Sequence, residues 1–294
     1  MRFVGIGLVI LAAICWGISG GIANILMNKG WSPTVISFYR GAVGLIGFCV
    51  WLLFRLRKNW IMSTRFYLWS LLAGIGVAGN FTLYFLSIQA SSITVAATLM
   101  YTAPVFVLLI SFLLGIERST WFKWGCISLV LIGIVLLTGD YNIESISVSF
   151  LGTTTGLASG LSYALFIFGF KKATSIGKPE TALTMAFFSF CFILFIIMDK
   201  KEALRVMTSS ELGWFLLLGI IGGGLSFMFY VNGLQRIAPT TASLVAMIEP
   251  VTASLFGVLL LGNRLNGIQS LGMGLILITI TILSAKQKSR GHVD

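Results

Sequence analysis

Ten long apolar runs, separated by short clusters of charged and turn-forming residues, restrict the fold of this chain more than any other feature. Each run has roughly 18 to 23 residues, enough for a helix to cross a bilayer core about 30 Å thick. Continuous runs favour helices over a β-barrel, whose strands show about ten residues of alternating polarity. The sequence therefore predicts an all-α integral membrane protein with ten transmembrane helices.

The predicted spans are joined by short connections that leave no room for a soluble domain. Their boundaries lie at 3–23, 33–54, 66–87, 93–114, 122–139, 149–170, 180–198, 212–232, 240–261 and 267–285. Of the 294 residues, 57% are hydrophobic and only 10% are charged, far from the balance of soluble proteins. The lipid bilayer is the expected environment.

The basic residues indicate orientation in the membrane rather than nucleic-acid binding. The chain carries 20 Lys and Arg residues against 9 Asp and Glu residues, a net charge of +11. Most cations flank the apolar runs and form no stripe with base-stacking aromatic side chains, so no nucleic-acid partner is predicted. Fourteen lie on the side of the N-terminus and five on the other side, which predicts that both termini are cytoplasmic.

Neither a metal site nor a cofactor is predicted. The four cysteines all lie inside predicted spans, where a small apolar packing role is expected, and no cluster of ligands accompanies them. The glycine-rich stretch GIIGGG, residues 219–224, is not followed by the Lys-Ser or Lys-Thr of a phosphate-binding loop. Close helix packing accounts for these glycines, and an ATP-driven pump is not expected.

The two halves of the chain resemble each other at a constant offset of 146 residues. Residues 84–118 align without a gap to residues 230–264, so that Pro104 matches Pro250 and Arg118 matches Arg264. Each half has five spans, an odd number, so the second half must enter the membrane in the opposite direction. We therefore predict two inverted five-helix repeats, at 1–141 and 147–286, followed by a cytoplasmic tail at 287–294.

Several motifs resemble those of one transporter family. The paired segments TAPVFVLLISFLLGIERST and IEPVTASLFGVLLLGNRLN, with CWGISG in the first span and SFYRG in the second, are similar to EamA-type transporters of the drug/metabolite transporter superfamily. The resemblance covers essentially the whole chain. It implies a ten-helix fold of two inverted repeats and export of amino acids or other small metabolites.

One pair of loops departs from the pattern of that family. Members commonly have Gly-Glu after the fourth and ninth spans. This chain has Gly-Ile-Glu, ending at Glu117, in the first copy, and Gly262 followed by Asn263 in the second. A symmetric role for the two loops is therefore not expected.

Glu249 places a carboxylate in the middle of an apolar run. It lies about nine residues into its span, hence about 14 Å deep at 1.5 Å per residue, close to the midplane. Because an ionised carboxylate facing lipid there is unfavourable by several kcal/mol, Glu249 is expected to face the bundle interior, pair with a cation or stay protonated. Two roles stay open: tying helices together near Pro250, or contacting a substrate amine or a transported proton.

Arg40 is the one cation well inside a predicted span, roughly 10 Å from its outer boundary. Three alternatives stay open for it. The side chain could snorkel toward the surface, pair with Glu249, or clamp a substrate carboxylate with its guanidinium fork.

Four further side chains within spans are candidate substrate-binding residues. Packing is the alternative role for the aromatic residues, and interhelical hydrogen bonding for the asparagine. The resemblance implies that the first, third, fourth and sixth spans line a central cavity, which favours these four positions: Trp16, Asn80, Tyr101 and Tyr163.

Pro104 and Pro250 lie at matching depths in the fourth and ninth spans. Each proline removes one helix hydrogen bond, so both helices are expected to kink at equivalent places. The alternatives are passive shaping of the packing or a pair of hinges for rocking between inward-open and outward-open states.

These observations predict a secondary transporter rather than an enzyme. An intramembrane lipid-modifying enzyme would need a constellation of catalytic side chains, but the single histidine, His292, lies in the C-terminal tail and no HExxH motif occurs. A non-transport membrane protein is the other alternative. The sequence predicts a small-molecule substrate and a bacterial cell membrane, and it leaves open proton coupling or facilitated exchange, and monomer or homodimer.

Overall fold

The structure, a computed structural model, describes residues 2–54, 63–139 and 149–290, with the side chains of residues 287–290 left out. It is built from α-helices and one π-helix. The helices are α1 (Arg2–Asn28), α2 (Pro33–Leu53), α3 (Thr64–Ala90), α4 (Ile93–Met100), α5 (Ala103–Leu113), α6 (Trp121–Thr138), α7 (Phe150–Ile176), α8 (Pro179–Ile197), α9 (Lys200–Val206), α10 (Leu212–Leu218), the π-helix (Gly219–Leu225), α11 (Ser226–Leu234), α12 (Pro239–Ala246), α13 (Ile248–Leu260) and α14 (Gly267–Arg290).

Ten helical segments in the described part of the chain are long and apolar enough to cross a membrane. Three of them are composite: α4 with α5, α10 with the π-helix and α11, and α12 with α13. This confirms the predicted all-α architecture of ten spans. The predicted boundaries at 141 and 147 and His292 lie outside the described residues. The inversion of the repeat and the cytoplasmic tail stay predictions.

Three helices run five or more residues further than their apolar runs predicted, among them α14, which continues from span 267–285 to Arg290. Span 3–23 continues as α1 to Asn28, and span 149–170 continues as α7 to Ile176. In both cases polar residues end the apolar pattern several residues before the helix ends, as with Asn24 and Lys171. Hydropathy marks the lipid-compatible part of a helix, whereas backbone hydrogen bonding continues through polar residues.

Local residues explain where many of the helices begin. Proline occupies the first helical position of α2, α8 and α12, where its missing N–H would have no intrahelical partner. Side-chain oxygens cap four other helices by accepting a backbone N–H of the first turn; these caps are Ser92 for α4, Thr120 for α6, Ser149 for α7 and Asp199 for α9.

The fourth and ninth spans are broken just before their prolines. Helix α4 ends at Met100 and α5 begins at Ala103, while α12 ends at Ala246 and α13 begins at Ile248. A proline cannot donate to the carbonyl four residues earlier, which is Met100 for Pro104 and Ala246 for Pro250. The helices are therefore interrupted at equivalent places, as predicted. A hinge function of these breaks stays a prediction.

Helices from the two halves pack directly against each other. Helix α3 packs along α7, and α1 packs against α11 and α13. Glycines permit these close approaches: a Cβ on Gly76 of α3 would lie 2.6 Å from the backbone nitrogen of Phe166 in α7. A Cβ on Gly17 of α1 would lie 2.7 Å from the carbonyl oxygen of Glu249. The interface between the halves is therefore at the centre of the bundle.

Candidate functional site

A cavity of about 300 Å³ lies between the two halves of the chain. Its walls come from α1, α2 and α3 of the first half, the break between α4 and α5, and α7, α11 and α13 of the second half. All six predicted substrate-binding residues line it: Trp16, Arg40, Asn80, Tyr101, Tyr163 and Glu249. We call this space the central cavity.

Arg40 lies on α2 and turns into the central cavity. Only 9% of the residue is exposed, so the side chain does not snorkel to the surface. Its Nη2 donates to Ser19 Oγ of α1, and its Cζ lies 5.0 Å from the ring centre of Phe81 on α3. A cation over an aromatic face is stabilised by the ring quadrupole. Helices α1 and α3 thus hold the guanidinium at the cavity wall.

Glu249 lies in the first turn of α13, immediately after the break in the ninth span. The N-terminal end of a helix carries partial positive charge and backbone N–H groups without an intrahelical partner, so it favours a carboxylate. Half-helix ends of this kind form the substrate and ion sites of many secondary transporters. The residue is half-buried and lines the central cavity.

Arg40 and Glu249 line the same cavity without forming a direct ion pair. Within the described part of the chain, no contact of 4.0 Å or less joins their charged atoms, in contrast to the pairs Lys29–Glu211 and Lys123–Glu117. Pairing with Glu249, one of the alternatives for Arg40, is therefore not what the structure shows. The two opposite charges therefore lie apart in the lining of one cavity.

Aromatic rings form one wall of the central cavity. Trp16 packs edge-on against Tyr163 and Phe227, with ring centres 6.4 and 5.3 Å away. Phe166 lies 4.6 Å from Tyr163 between centres. These rings keep Trp16 only 5% exposed and give the cavity an apolar face.

The remaining predicted residues differ in their polar contacts. The hydroxyl of Tyr163 is buried and has no hydrogen-bond partner in the structure, although the residue lines the cavity. Tyr101 lies in the break between α4 and α5. Asn80 donates from Nδ2 to the carbonyl oxygen and the Oγ of Ser159 on α7, at 3.1 and 3.2 Å. Asn80 thus makes the interhelical hydrogen bonds that were its alternative role, at the edge of the cavity.

The stretch GIIGGG also supports the cavity, a role that sequence reasoning missed. Residues Gly219–Leu225 form a π-helix that packs on α2. A Cβ on Gly223 would lie 2.0 Å from the carbonyl oxygen of Arg40, and one on Gly222 would lie 3.0 Å from Arg40 Nε. Insertions of π-helix are frequent at functional sites. The run of three glycines was the available signal, but its contact with Arg40 depends on the tertiary structure.

The two ends of the bundle differ around the central cavity. Its lining reaches residues at the end where α1 finishes and α2 begins, such as Met27, Pro33 and Gln89. At the opposite end, Glu117 joins the two halves. Its Oε1 accepts from the backbone N–H of Thr240 at 2.9 Å, and its Oε2 accepts from Lys123 Nζ at 2.7 Å.

No metal centre accompanies this site in the described part of the chain. No group of three or more His, Cys, Asp or Glu residues there could hold a metal ion. The four cysteines are free thiols in separate helices: Cys15, Cys49, Cys126 and Cys191.

A model of the EamA-like transporter family matches residues 3–139 and again residues 150–285. The chain belongs to the EamA-like transporter family. This confirms the resemblance to EamA-type transporters of the drug/metabolite transporter superfamily. Membership in this family makes the protein a membrane transporter, with the central cavity between its two halves.

Relatives and a solved structure agree with this assignment. The uncharacterized transporter YwfM of Bacillus subtilis is 26% identical over 96% of this chain and 95% of its own. The threonine/homoserine exporter RhtA of Escherichia coli K12 is 26% identical over 93% of this chain and 90% of its own. A crystal structure with 18% identity has a TM-score of 0.73 and covers 96% of this chain and 98% of that chain. That structure supports the fold.

Proposed function

We propose that this EamA-family protein is a secondary transporter that exports amino acids or related small metabolites by alternating access. One observation carries the proposal. Arg40 of the first half and Glu249 of the second half line the same cavity without pairing directly. A transporter with its substrate site between two repeats would place charged groups in this way.

The proposed ligand is a zwitterion held at both of its charges. The guanidinium of Arg40 suits a carboxylate, since its planar fork can donate two parallel hydrogen bonds. Glu249 would accept from the ammonium group, and the wall around Trp16 would contact the substrate side chain. A cavity of about 300 Å³ has the volume expected of a small-molecule site.

Alternating access is supported by the difference between the two ends. The cavity lining extends to Met27 and Gln89 at one end, whereas Glu117 bonds across the halves at the other end. In this proposal the contacts of Glu117 break when the bundle opens on its side. The breaks before Pro104 and Pro250 would act as hinges between the two states.

The direction and the location belong to the same proposal. The relative RhtA is named an exporter of threonine and homoserine, which supports export of amino acids by this chain. The distribution of Lys and Arg supports cytoplasmic termini in a bacterial cell membrane. Relatives named as transporters also favour transport over an enzymatic reaction.

Transport by purified protein in proteoliposomes tests the proposal. Vesicles are loaded with radiolabelled threonine, homoserine or pooled amino acids, and efflux is followed with and without a pH gradient. We expect protein-dependent efflux that falls by roughly tenfold or more in Arg40→Gln and Glu249→Gln, since each loses a charge-assisted hydrogen bond.

Glu211→Gln is the matched control for these variants. Glu211 carries the same side chain as Glu249 but lies at the surface, paired with Lys29, outside the central cavity. Its efflux should equal that of the unmodified protein. Efflux that is unaffected by Arg40→Gln and Glu249→Gln would contradict the substrate site, and no protein-dependent movement of any pool would contradict amino-acid export.

A further inference from the structure

A second and larger cavity, of about 630 Å³, lies at the end of the bundle where α1 begins and α14 ends. None of its lining residues lines the central cavity. Among the described residues, its walls carry five cations and one carboxylate. The cations are Arg2, Lys123, Lys171, Arg236 and Lys286, and the carboxylate is Glu117. We call this space the basic chamber.

Glu117 cannot balance the charge of the basic chamber. Its two oxygens already accept from Lys123 Nζ, Ser111 Oγ and the backbone N–H of Thr240, at 2.7, 3.2 and 2.9 Å. One negative charge is thus held by one of the five cations. The lining therefore keeps an excess of positive charge, which favours an anion.

Neutral groups hold several of the other cations in place. Lys171 Nζ donates to the carbonyl oxygens of Leu234 and Ile237 at 2.7 and 2.9 Å. Arg236 Nη1 donates to the carbonyl oxygen of Asn232. Such contacts position a cation without cancelling its charge, so the cations remain able to attract a ligand.

An unpartnered hydroxyl in the same lining supplies a second, independent observation. Thr240 is only 1% exposed, and its Oγ1 has no hydrogen-bond partner in the structure. Because buried polar groups are nearly always hydrogen-bonded, this hydroxyl points to a ligand that forms a hydrogen bond with it. Thr240 is the second residue of helix α12, whose N-terminal end also favours negative charge.

We propose that the basic chamber binds the phosphate group of an anionic membrane lipid. A phosphate offers several acceptor oxygens to cations and a hydroxyl at once. The chamber is larger than one phosphate needs, and Leu244, Leu283 and Phe122 give it apolar surface for the first acyl carbons of a lipid. Basic pockets between transmembrane helices bind lipid head groups in this way.

Native mass spectrometry of the detergent-solubilised full chain tests this proposal. The protein is titrated with phosphatidylglycerol, phosphatidylcholine or inorganic phosphate. We expect phosphatidylglycerol to bind about tenfold more tightly than phosphatidylcholine, because the cations favour net negative charge. The double variant Arg236→Gln with Lys286→Gln should lose this preference.

The double variant Lys172→Gln with Lys178→Gln is the matched control. It removes the same charge from the same end of the bundle, but neither residue lines the basic chamber. It should keep the preference for phosphatidylglycerol. Equal losses in the two double variants would overturn the proposal and leave the cations a role in membrane orientation alone.

Thr240→Val gives a test that does not change charge. The substitution removes the hydroxyl, keeps the shape of the side chain and leaves the backbone N–H that bonds Glu117. We expect phosphatidylglycerol binding to weaken severalfold, and unchanged binding would contradict a phosphate contact at Thr240. Equally tight binding of inorganic phosphate would support a phosphate site and overturn a lipid as its source.

Discussion

The fourth and ninth spans are matching broken helices whose first turns are capped in different ways. Helix α4 is capped by its own Ser92, whose Oγ accepts from Val95 N at 3.2 Å. The residue at the same place in the second half is Ala238, which has no side-chain oxygen. Glu117 of the first half supplies the acceptor for α12 instead. One cap is local, and the other joins the two halves.

The two copies also carry a carboxylate at different positions. The position of Glu249 corresponds to Ala103 in the first copy, and the position of Glu117 corresponds to Asn263 in the second. In the described part of the chain, Asn263 makes no bond to Thr94 that would match the bond of Glu117 to Thr240. Glu249 of the second copy therefore lies at the central cavity, whereas Glu117 of the first copy lies at one end of the bundle.

This difference shows how two similar halves of one chain can make different contacts at the two ends of the bundle. Equivalent breaks in both spans come from the shared prolines Pro104 and Pro250, which act through the backbone. At one end of the bundle a side chain of the first half, Glu117, bonds to the second half, and its equivalent, Asn263, makes no matching bond in the described part of the chain.

Glu249→Ala makes the second copy resemble the first at its break, where Ala103 lies. We expect the rate of substrate efflux from proteoliposomes to fall tenfold or more, since a hydrogen bond to a charged group contributes about 1.5–3 kcal/mol. Glu211→Ala is the control and should transport normally. Unchanged efflux in Glu249→Ala would mean that transport does not need a carboxylate at this break.

Gly223→Ala should disturb Arg40 through its backbone. The added Cβ would lie 2.0 Å from the carbonyl oxygen of Arg40, so α2 and the π-helix would have to separate. We expect a destabilisation of about 1–3 kcal/mol, typical of overpacking, measured by thermal unfolding together with reduced efflux. Gly213→Ala in the same span is the control, since nothing lies within 4 Å of its added Cβ.

Glu117→Ala should release the first turn of α12. Loss of a charge-assisted hydrogen bond should lower the local stability of this turn by about 1.5 kcal/mol or more. Amide exchange near Thr240 should therefore become roughly tenfold faster in a hydrogen–deuterium measurement. Asn263→Ala, at the corresponding place of the second copy, should leave exchange at the start of α4 unchanged. Equal effects of the two variants would contradict the asymmetry.

Ser92→Ala should have the smallest effect, because it removes a local cap. Loss of an N-cap typically destabilises a helix by about 1 kcal/mol, which corresponds to roughly fivefold faster exchange in the first turn of α4. Ser63→Ala is the control, since Ser63 precedes α3 without a side-chain capping bond. Faster exchange at α12 in the Ser92 variant would show that the two caps are coupled after all.

Sequence reasoning predicted the ten spans well because a bilayer demands long apolar helices whatever their packing. It also singled out the two charged residues that line the central cavity, since Arg40 and Glu249 stand out within apolar runs. It could not find Ser19 or Phe81 as partners of Arg40, because those contacts join helices distant in sequence. The contact between the π-helix over GIIGGG and Arg40 was missed for the same reason.

The most direct test of the account is equilibrium binding of matched ligands to the purified protein. Threonine, its methyl ester and the corresponding hydroxy acid without the amine would be compared on the unmodified chain, Arg40→Gln and Glu249→Gln. We predict that Arg40→Gln weakens binding of the two ligands with a carboxylate and leaves binding of the ester unchanged. Glu249→Gln should weaken the two ligands with an amine and spare the hydroxy acid. Equal effects of each variant on all three ligands would contradict recognition of the two charges by these residues.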